Sequence, residues 1–230
     1  MRIQKFLSSC GTASRRKAEK LVLAGEITIN GKIAQPGDKV NPQDLVKYKN
    51  SVVRPQSHVY IMINKPVGYI TSTKDQFNRK VVTDLINIKE KIYPIGRLDY
   101  NTSGLLLLTT DGDLAYKLTH PKHQIEKTYL VKVKGLVSEK NIQKLKSGVD
   151  IGGYITQKAE VGVRKQNQNT LLQISVKEGK NRQIRKMIES VNHRVLELKR
   201  ISIGEIKLEG KPGEWRHLTS GELRRLKEIK

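Results

Sequence analysis

A polar loop near the middle of the chain carries the residues best suited to chemistry. It places one carboxylate, Asp99, two positions after one guanidinium, Arg97, with Gly96 before them and Gly104 after them. An ionised carboxylate held in a loop can act as a nucleophile or a general base. An aspartate close to threonine and serine is equally typical of a plain turn. The loop residues alone leave both interpretations open.

Other kinds of chemistry find little support in the residues. The sequence has no GxxxxGK[ST] phosphate-binding motif and no GxGxxG after a strand. The close pair His120 and His123 lacks the further ligands that catalytic zinc sites use. Cys10 lies on the apolar face of a predicted helix, which favours core packing over a nucleophilic role. We therefore expect no metal site.

The elements around the loop predict an α+β fold. The apolar run Leu105–Thr109 predicts a buried strand that anchors the loop. Several strands are joined by turns too short for a helical crossover, which indicates a mixed, largely antiparallel sheet with packed helices. Further strand-like runs are Val59–Asn64, Tyr129–Val133, Leu171–Val176, Val195–Leu198 and Ile201–Leu208, and helix-like runs are Leu114–Thr119, Glu139–Leu145 and Gln183–Val191.

Residues 1–48 predict a separate small module. Apolar residues at helical spacing indicate two short helices, the second capped by Ser14 and stopped by Gly25. Asn30-Gly31 between alternating residues is a strong hairpin signal. We expect an αα-β module over 1–48, a polar linker over 49–58, and a larger domain over 59–230.

The charge of the chain indicates a polyanionic partner. Lys and Arg number 44 against 22 Asp and Glu, a net charge of +22, which a phosphate polyanion or an anionic membrane surface would match. Membrane attachment is disfavoured, because no apolar run is long enough to span a bilayer and no amphipathic anchor is evident. Residues 1–50 carry a net +6. Their basic residues could face phosphates or be merely solvated: Lys5, Arg15, Arg16 and Lys17.

The opening segment resembles the S4 RNA-binding module. The resemblance rests on Arg2–Leu7, Ser14–Glu19, Gly25–Lys32 and Val40. It implies two helices packed on a small sheet, with the basic helical surface binding structured RNA through shape and phosphates.

The larger remainder resembles RNA pseudouridine synthases, in the branch that modifies ribosomal RNA of the small and large subunits. The signature is Gly96-Arg97-Leu98-Asp99 followed by Thr102–Thr109. The other matching blocks are Asn64–Tyr69, Asp111-Gly112, His120-Pro121, Glu126–Val131, Glu178–Met187 and Leu198–Gly204.

The resemblance assigns catalytic roles to three residues and implies no cofactor. Asp99 takes the place of the essential carboxylate, which acts while the bond from C1′ to N1 of uridine breaks and C5 joins C1′. It adds to the sugar, adds to the base, or assists elimination to a glycal. Tyr129 takes the place of the tyrosine that stacks on the base, and Arg185 that of the arginine paired with the aspartate. Their alternatives are an ordinary strand aromatic and a phosphate contact or solvated helix residue.

Arg97 and a second basic stretch complete the expected RNA-binding set. Arg97 resembles the arginine that acts near the displaced base, and it could equally bind a phosphate or support the loop. Residues 177–200 carry a net +5, and Lys180, Arg182 and Lys186 are expected to bind the RNA backbone. Two phenylalanines, eight tyrosines and one tryptophan argue against a single-strand binder built on stacking platforms and favour shape readout of stems.

The sequence thus predicts a cytoplasmic, monomeric enzyme that isomerises uridine in ribosomal RNA, with the large subunit favoured. Its partner is ribosomal RNA or a ribosome assembly intermediate, and neither DNA nor a membrane is expected. The one cysteine, Cys10, fits a reducing compartment. A small-subunit pseudouridine synthase is one alternative. A non-catalytic RNA-binding or ribosome-assembly factor is the other, and Asp99, Tyr129 and Arg185 speak against it.

Overall fold

The computed structural model of the chain describes residues 1–229 and divides them into two compact units. The first unit consists of Met1–Val59 with the short segments Lys89–Lys91 and Thr110–Gly112. The second consists of Tyr60–Ile88, Ile92–Thr109 and the described residues from Asp113 on. No helix within residues 1–229 is long and apolar enough to cross a membrane.

The first unit packs two helices on a small antiparallel sheet. Helices α1 (Ile3–Ser9) and α2 (Arg15–Leu23) precede strands β1 (Ile27–Ile29), β2 (Lys32–Ile33), β3 (Val46–Tyr48) and β4 (Ser51–Val52), in the sheet order β2-β1-β3-β4. Its apolar centre includes Ile3, Leu7, Ala18 and Ile27, all at most 1% exposed. Strand β4 lies within 49–58, the segment expected to be a linker, and pairs with β3.

Local signals in this unit act as predicted. The Ser14 hydroxyl accepts a hydrogen bond from the Lys17 amide at 3.4 Å and caps α2. Asn30 and Gly31 both have positive φ, as a two-residue hairpin turn between β1 and β2 requires. Cys10 is buried in the core, as predicted, and burial raises the pKa of its thiol to about 11.

The second unit is built on one mixed sheet, which agrees with the predicted α+β class. The main strand order is β13-β5-β7-β11-β8-β10-β9, and β6 and β12 pair with β7 and β11. The β7–β11 pair is parallel and the other pairs are antiparallel. The strands are β5 (Tyr60–Lys65), β6 (Tyr93–Ile95), β7 (Ser103–Thr109), β8 (Lys127–Lys134), β9 (Glu160–Gln166), β10 (Asn169–Val176), β11 (Val195–Ile203), β12 (Ile206–Lys207) and β13 (Trp215–His217).

Four helices cover this sheet and form two apolar clusters with it. The helices are α3 (Gly112–Thr119), α4 (Glu139–Ser147), α5 (Gln183–Glu189) and α6 (Ser220–Glu228). Helices α4 and α5 pack against β8, β10 and β11, whereas α3 and α6 pack against β5 and β7. Leu105 to Leu108 in β7 are all at most 1% exposed. Burial on both faces explains why this strand reads as an unbroken apolar run.

Two sequence predictions need correction. The runs Val195–Leu198 and Ile201–Leu208 were expected as separate strands, but β11 continues through both as far as Ile203 and then turns into β12. Lys199 and Arg200 continue the strand because they pair with Ser103 and Gly104 of β7. Helix α6 was not predicted, although Thr219 and Glu222 form a capping box at its start.

Candidate active site

The loop that carries Asp99 joins β6 to β7 and enters the sheet at its parallel junction. Gly96 begins the loop with φ +71°. The Thr102 amide donates to the Asp99 carbonyl at 3.0 Å and closes a turn. On the neighbouring segment, the Thr71 hydroxyl donates to the Leu98 carbonyl at 2.6 Å and accepts from the Leu98 amide at 3.1 Å. The backbone before Asp99 is therefore fixed, while its side chain is partly exposed.

The Lys65 side chain holds this loop through hydrogen bonds to backbone carbonyls. The side chain is fully buried, and its ammonium donates to the carbonyls of Pro66 and Thr102 at 2.9 Å and of Asp99 at 3.3 Å. Burial lowers the pKa of Lys65 to about 8, with the Asp99 charge opposing and the Arg200 charge reinforcing that shift. Lys65 lies in the Asn64–Tyr69 block of the family resemblance, and no role was predicted for it from the sequence. A lysine at the end of an apolar strand, directly before proline, was the available signal.

Gly104 and Arg200 join the loop to the centre of the sheet. Gly104 in β7 pairs with Arg200 in β11 and has φ +108°. A Cβ atom at Gly104 would overlap the carbonyl oxygen of Arg200, so glycine is needed at this position. The Arg200 side chain is 3% exposed and its Nε donates to the Leu105 carbonyl at 2.8 Å.

Arg185 reaches the same loop from α5. Its guanidinium is 9% exposed, and Nη2 donates to the Asn101 carbonyl at 2.8 Å. Burial lowers the pKa of Arg185, Arg182 lowers it further, and the Asp99 charge opposes the shift. Within residues 1–229, no ion pair of 4.0 Å or less joins Arg185 to Asp99. The guanidinium contacts the loop backbone two residues after Asp99, and its Nε is buried without a hydrogen-bond partner.

Tyr129 lies two strands away from the loop. It stands opposite Arg200 across the β8–β11 pair, and Arg200 in turn pairs with Gly104. Two strand spacings separate the backbones of Tyr129 and Gly104 by about 10 Å. The half-buried Tyr129 ring packs against the cluster that contains α5.

A buried carboxylate orders the segment that leads into α5. Glu178, 8% exposed, accepts hydrogen bonds from the Tyr154 hydroxyl at 2.6 Å, the Gln183 amide group at 2.6 Å and the Gln157 backbone at 3.0 Å. The Gln183 side chain also accepts from the Lys180 amide at 3.0 Å. These contacts hold the start of the helix that presents Arg185. Glu178 lies in the Glu178–Met187 block of the family resemblance, and no role was predicted for it from the sequence.

The expected RNA-binding residues divide by exposure. Arg97, Lys180 and Arg182 are exposed and Lys186 is half-buried. The Lys180 ammonium lies 4.1 Å from the centre of the Tyr154 ring. Two cations counted in the basic stretch 177–200, Arg185 and Arg200, are instead buried.

In the first unit, the basic residues lie along α1 and the first turn of α2. Arg15, Arg16 and Lys17 are exposed, and Lys5 is half-buried. Their side chains point away from a core formed by residues such as Leu7 and Ala18. This unit therefore presents a basic surface.

One member of the histidine pair, His120, has a structural role. His120 Nδ1 accepts from the Lys122 amide at 3.3 Å and caps a short 3-10 turn, and its ring lies 4.8 Å from that of Tyr116. Within residues 1–229, no group of three or more His, Cys, Asp or Glu side chains is arranged to hold a metal ion.

Two family profiles match the chain. The profile described as RNA pseudouridylate synthase matches residues 59–190, and that of the S4 domain matches residues 1–46. The Ribosomal large subunit pseudouridine synthase B of Bacillus subtilis strain 168 is 43% identical, over 99% of this chain and 96% of its own length. The Dual-specificity RNA pseudouridine synthase RluF of Escherichia coli strain K12 is 38% identical, over 97% of this chain and 77% of its own length.

A solved structure extends the likeness to the fold. The crystal structure of a pseudouridylate synthase aligns with a TM-score of 0.72 at 28% sequence identity, covering 98% of this chain and 99% of that chain. Most of this chain therefore has a counterpart in a solved pseudouridylate synthase structure.

Proposed function

Because the chain belongs to the RNA pseudouridylate synthase family, we propose that it converts specific uridines of ribosomal RNA to pseudouridine, with the large subunit as its target. The observation that carries this proposal is that two buried cations, Lys65 and Arg185, donate hydrogen bonds to the backbone of the loop that carries Asp99. The Bacillus subtilis relative named for the large subunit favours that target.

The proposed chemistry rests on Asp99. Ionised, it acts on the flipped uridine while the bond from C1′ to N1 breaks; C5 then bonds to C1′, loses its proton, and N1 gains one. Lys65 and Arg185 hold the backbone of its loop through the carbonyls of Asp99, Thr102 and Asn101. The reaction is an isomerisation and calls for no cofactor.

Tyr129 and Arg185 have proposed roles on either side of this carboxylate. Tyr129 stacks on the uracil ring and assists in removing the C5 proton, as its place across the sheet from Gly104 allows. Arg185 holds the loop through the Asn101 carbonyl and leaves its buried Nε for the Asp99 carboxylate when substrate binds. Arg97, exposed on the same loop, fills the gap that the flipped base leaves.

Binding of the RNA is assigned to exposed cations in both units. Residues 1–48 serve as the docking module through Lys5, Arg15, Arg16 and Lys17, residues 49–58 connect it, and residues 59–230 act as the catalytic domain. Lys180, Arg182 and Lys186 bind backbone phosphates beside α5. Affinity from such contacts falls steeply as salt rises.

The proposal also covers the cellular location, the oligomeric state and the partners of the protein. The chain acts in the cytoplasm as a monomer, on ribosomal RNA or on an assembly intermediate, and binds neither DNA nor a membrane. A small-subunit target is the alternative within the family. The Escherichia coli relative is named a dual-specificity enzyme. Experiment, and not the name of a relative, therefore assigns the target of this chain.

The test maps pseudouridine in ribosomal RNA from cells with the gene, without it, and with Asp99→Asn. We expect one or a few large-subunit uridines to lose modification in both the deletion and the variant, because asparagine keeps the shape of aspartate without its charge. The purified variant is expected to bind ribosomal RNA within a few fold of wild type. Unchanged maps in the deletion strain would refute the proposal, and a small-subunit site would correct the target.

A further inference from the structure

The rim of the Asp99 loop displays apolar rings to solvent. Phe77 is 68% exposed, and Tyr100, the residue after Asp99, is 52% exposed. Single exposed apolar residues are ordinary. Here two exposed rings lie on the loop that carries the carboxylate and on the segment 66–80, which is hydrogen-bonded to that loop through Thr71 and Leu98.

Phe77 is held in its exposed position by a built turn. The Asp75 side chain is only 9% exposed, and its Oδ2 accepts from the backbone amides of Phe77 and Arg79, both at 3.0 Å. Both carboxylate oxygens also bind the Arg79 guanidinium, at 2.8 and 3.2 Å. Within the segment, the Ile70 amide donates to the Lys80 carbonyl at 2.9 Å. The ring is therefore displayed on ordered backbone.

Arg79 lies beside the Phe77 ring. Its Cζ lies 5.2 Å from the centre of the Phe77 ring. The Arg79 guanidinium donates to the Asp75 carboxylate, and these hydrogen bonds raise the pKa of Arg79. Tyr100 is itself tied to segment 66–80, because its carbonyl accepts from the Gly68 amide at 3.0 Å.

Two exposed rings, with a cation beside one of them, match the chemistry of unpaired RNA. A nucleobase stacks on an aromatic face whatever its sequence, while an arginine beside it contacts the phosphate or adds cation-π attraction. A base inside a continuous duplex keeps its faces covered by its neighbours and cannot use such rings. We propose that Phe77, Arg79 and Tyr100 form a stacking rim that holds unpaired nucleobases next to the target uridine.

This inference rests on the proposed function and refines it. The composition of the chain favoured shape readout of stems, since aromatic residues are few. The rim adds local stacking at the reaction site, so the substrate class becomes an RNA loop or bulge that is held at its unpaired bases. The first unit and the basic residues near α5 would then contact the adjoining stem.

The test measures stacking directly. A short hairpin RNA with 2-aminopurine next to a uridine in its single-stranded loop is titrated with Asp99→Asn protein, which keeps the RNA unmodified. We expect protein binding to change the fluorescence of the loop probe. In the same background, Phe77→Ala and Tyr100→Ala are each expected to remove much of that change and to weaken binding about 5- to 150-fold.

Matched variants separate stacking from other effects. Phe77→Tyr keeps the aromatic face and should bind like the parent, whereas Phe77→Leu keeps only the apolar bulk and should behave like Phe77→Ala. Leu136→Ala is the control, because Leu136 is 60% exposed but lies beyond the far end of β8 from Tyr129. A fully paired hairpin with 2-aminopurine in its stem should show no difference among the variants.

The outcomes distinguish this inference from the proposed function. Equal binding of the loop probe by Phe77→Ala and Leu136→Ala would overturn the rim, as would equal loss with the stem probe. If these rings bind a partner other than RNA, Phe77→Ala and Leu136→Ala will bind the loop probe equally, and the proposal is overturned in the same way. If the probe shows stacking but wild-type protein forms no pseudouridine in ribosomal RNA, the proposed function fails and the rim stands.

Discussion

The cations of the first unit and those beneath the Asp99 loop are the same residue types in opposite environments. Arg15, Arg16 and Lys17 stand exposed on α2. Lys65 and Arg200 are at most 3% exposed, and their donors point to backbone carbonyls of the loop and of β7. The first group is available to phosphates, whereas the second group acts as internal support.

This difference shows that the net charge of +22 is not a measure of RNA affinity. A buried cation that is bound to carbonyls contributes to the position of a loop and makes no phosphate contact. An exposed cation contributes to affinity and association rate, and little to the fold. Three variants, described from the largest expected effect to the smallest, test whether support of the loop and binding of RNA depend on separate residues.

Gly104→Ala should have the largest effect. The new Cβ would overlap the Arg200 carbonyl, and the positive φ would add strain. We expect a loss of about 3 kcal/mol or more in the free energy of unfolding, measured by urea denaturation, together with loss of activity. Gly152→Ala is the control, because Gly152 has φ +95° but open space around it; it should cost about 1 kcal/mol. Equal losses would mean that the close approach at Gly104 is unimportant.

Lys65→Met should have an intermediate effect. Three carbonyls lose their donor, and the expected loss is about 1–3 kcal/mol in unfolding free energy, with a lower kcat because the loop is less well held. Lys127→Met is the matched control. Burial also lowers the pKa of Lys127 to about 8, but its ammonium donates to one carbonyl, that of Ile125. If kcat falls equally in both variants, Lys65 has no special role in the loop.

The pH dependence of stability provides a second readout for Lys65. Its pKa is about 8 in the folded chain against 10.5 for an ordinary lysine, so the unfolded chain binds more protons between those values. The contribution of Lys65 to stability therefore rises with pH across that window. Wild type should gain stability relative to Lys65→Met as the pH increases from about 8 to 10, measured by urea denaturation. A constant difference would contradict the lowered pKa.

Replacing Arg15, Arg16 and Lys17 together by glutamine should have the smallest effect on the fold. We expect the unfolding free energy to change by less than about 0.5 kcal/mol. The affinity for ribosomal RNA should fall, and the slope of log affinity against log salt should become shallower by about 2–3. The same substitution of Lys140, Lys144 and Lys146 on α4 removes equal charge from the second unit. An equal loss of affinity there would remove the case for a docking role of α2.

Much of the local structure was predictable because its causes are local. The Asn30-Gly31 hairpin, the Ser14 cap and the anchoring strand after the loop follow from turn chemistry, capping and apolar runs. The resemblance of the Asp99 loop to a family signature predicted its membership of the RNA pseudouridylate synthase family. The roles of Asp99, Tyr129 and Arg185 remain predictions from that resemblance.

Other features depend on contacts between distant segments. Arg200 had the sequence properties of a phosphate-binding residue, yet its side chain donates to Leu105, which is 95 positions away in the chain. Phe77 had no distinguishing pattern, and its display depends on the turn around Asp75 and the link to Leu98.

The amino-acid sequence by itself determined the family and the fold class, because these are encoded in short motifs and in periodicity. The tertiary structure decided which cations support the loop and which face solvent. The physical reason is that burial and hydrogen-bond partners arise from strand pairing, and the parallel β7–β11 contact joins segments that no local pattern relates.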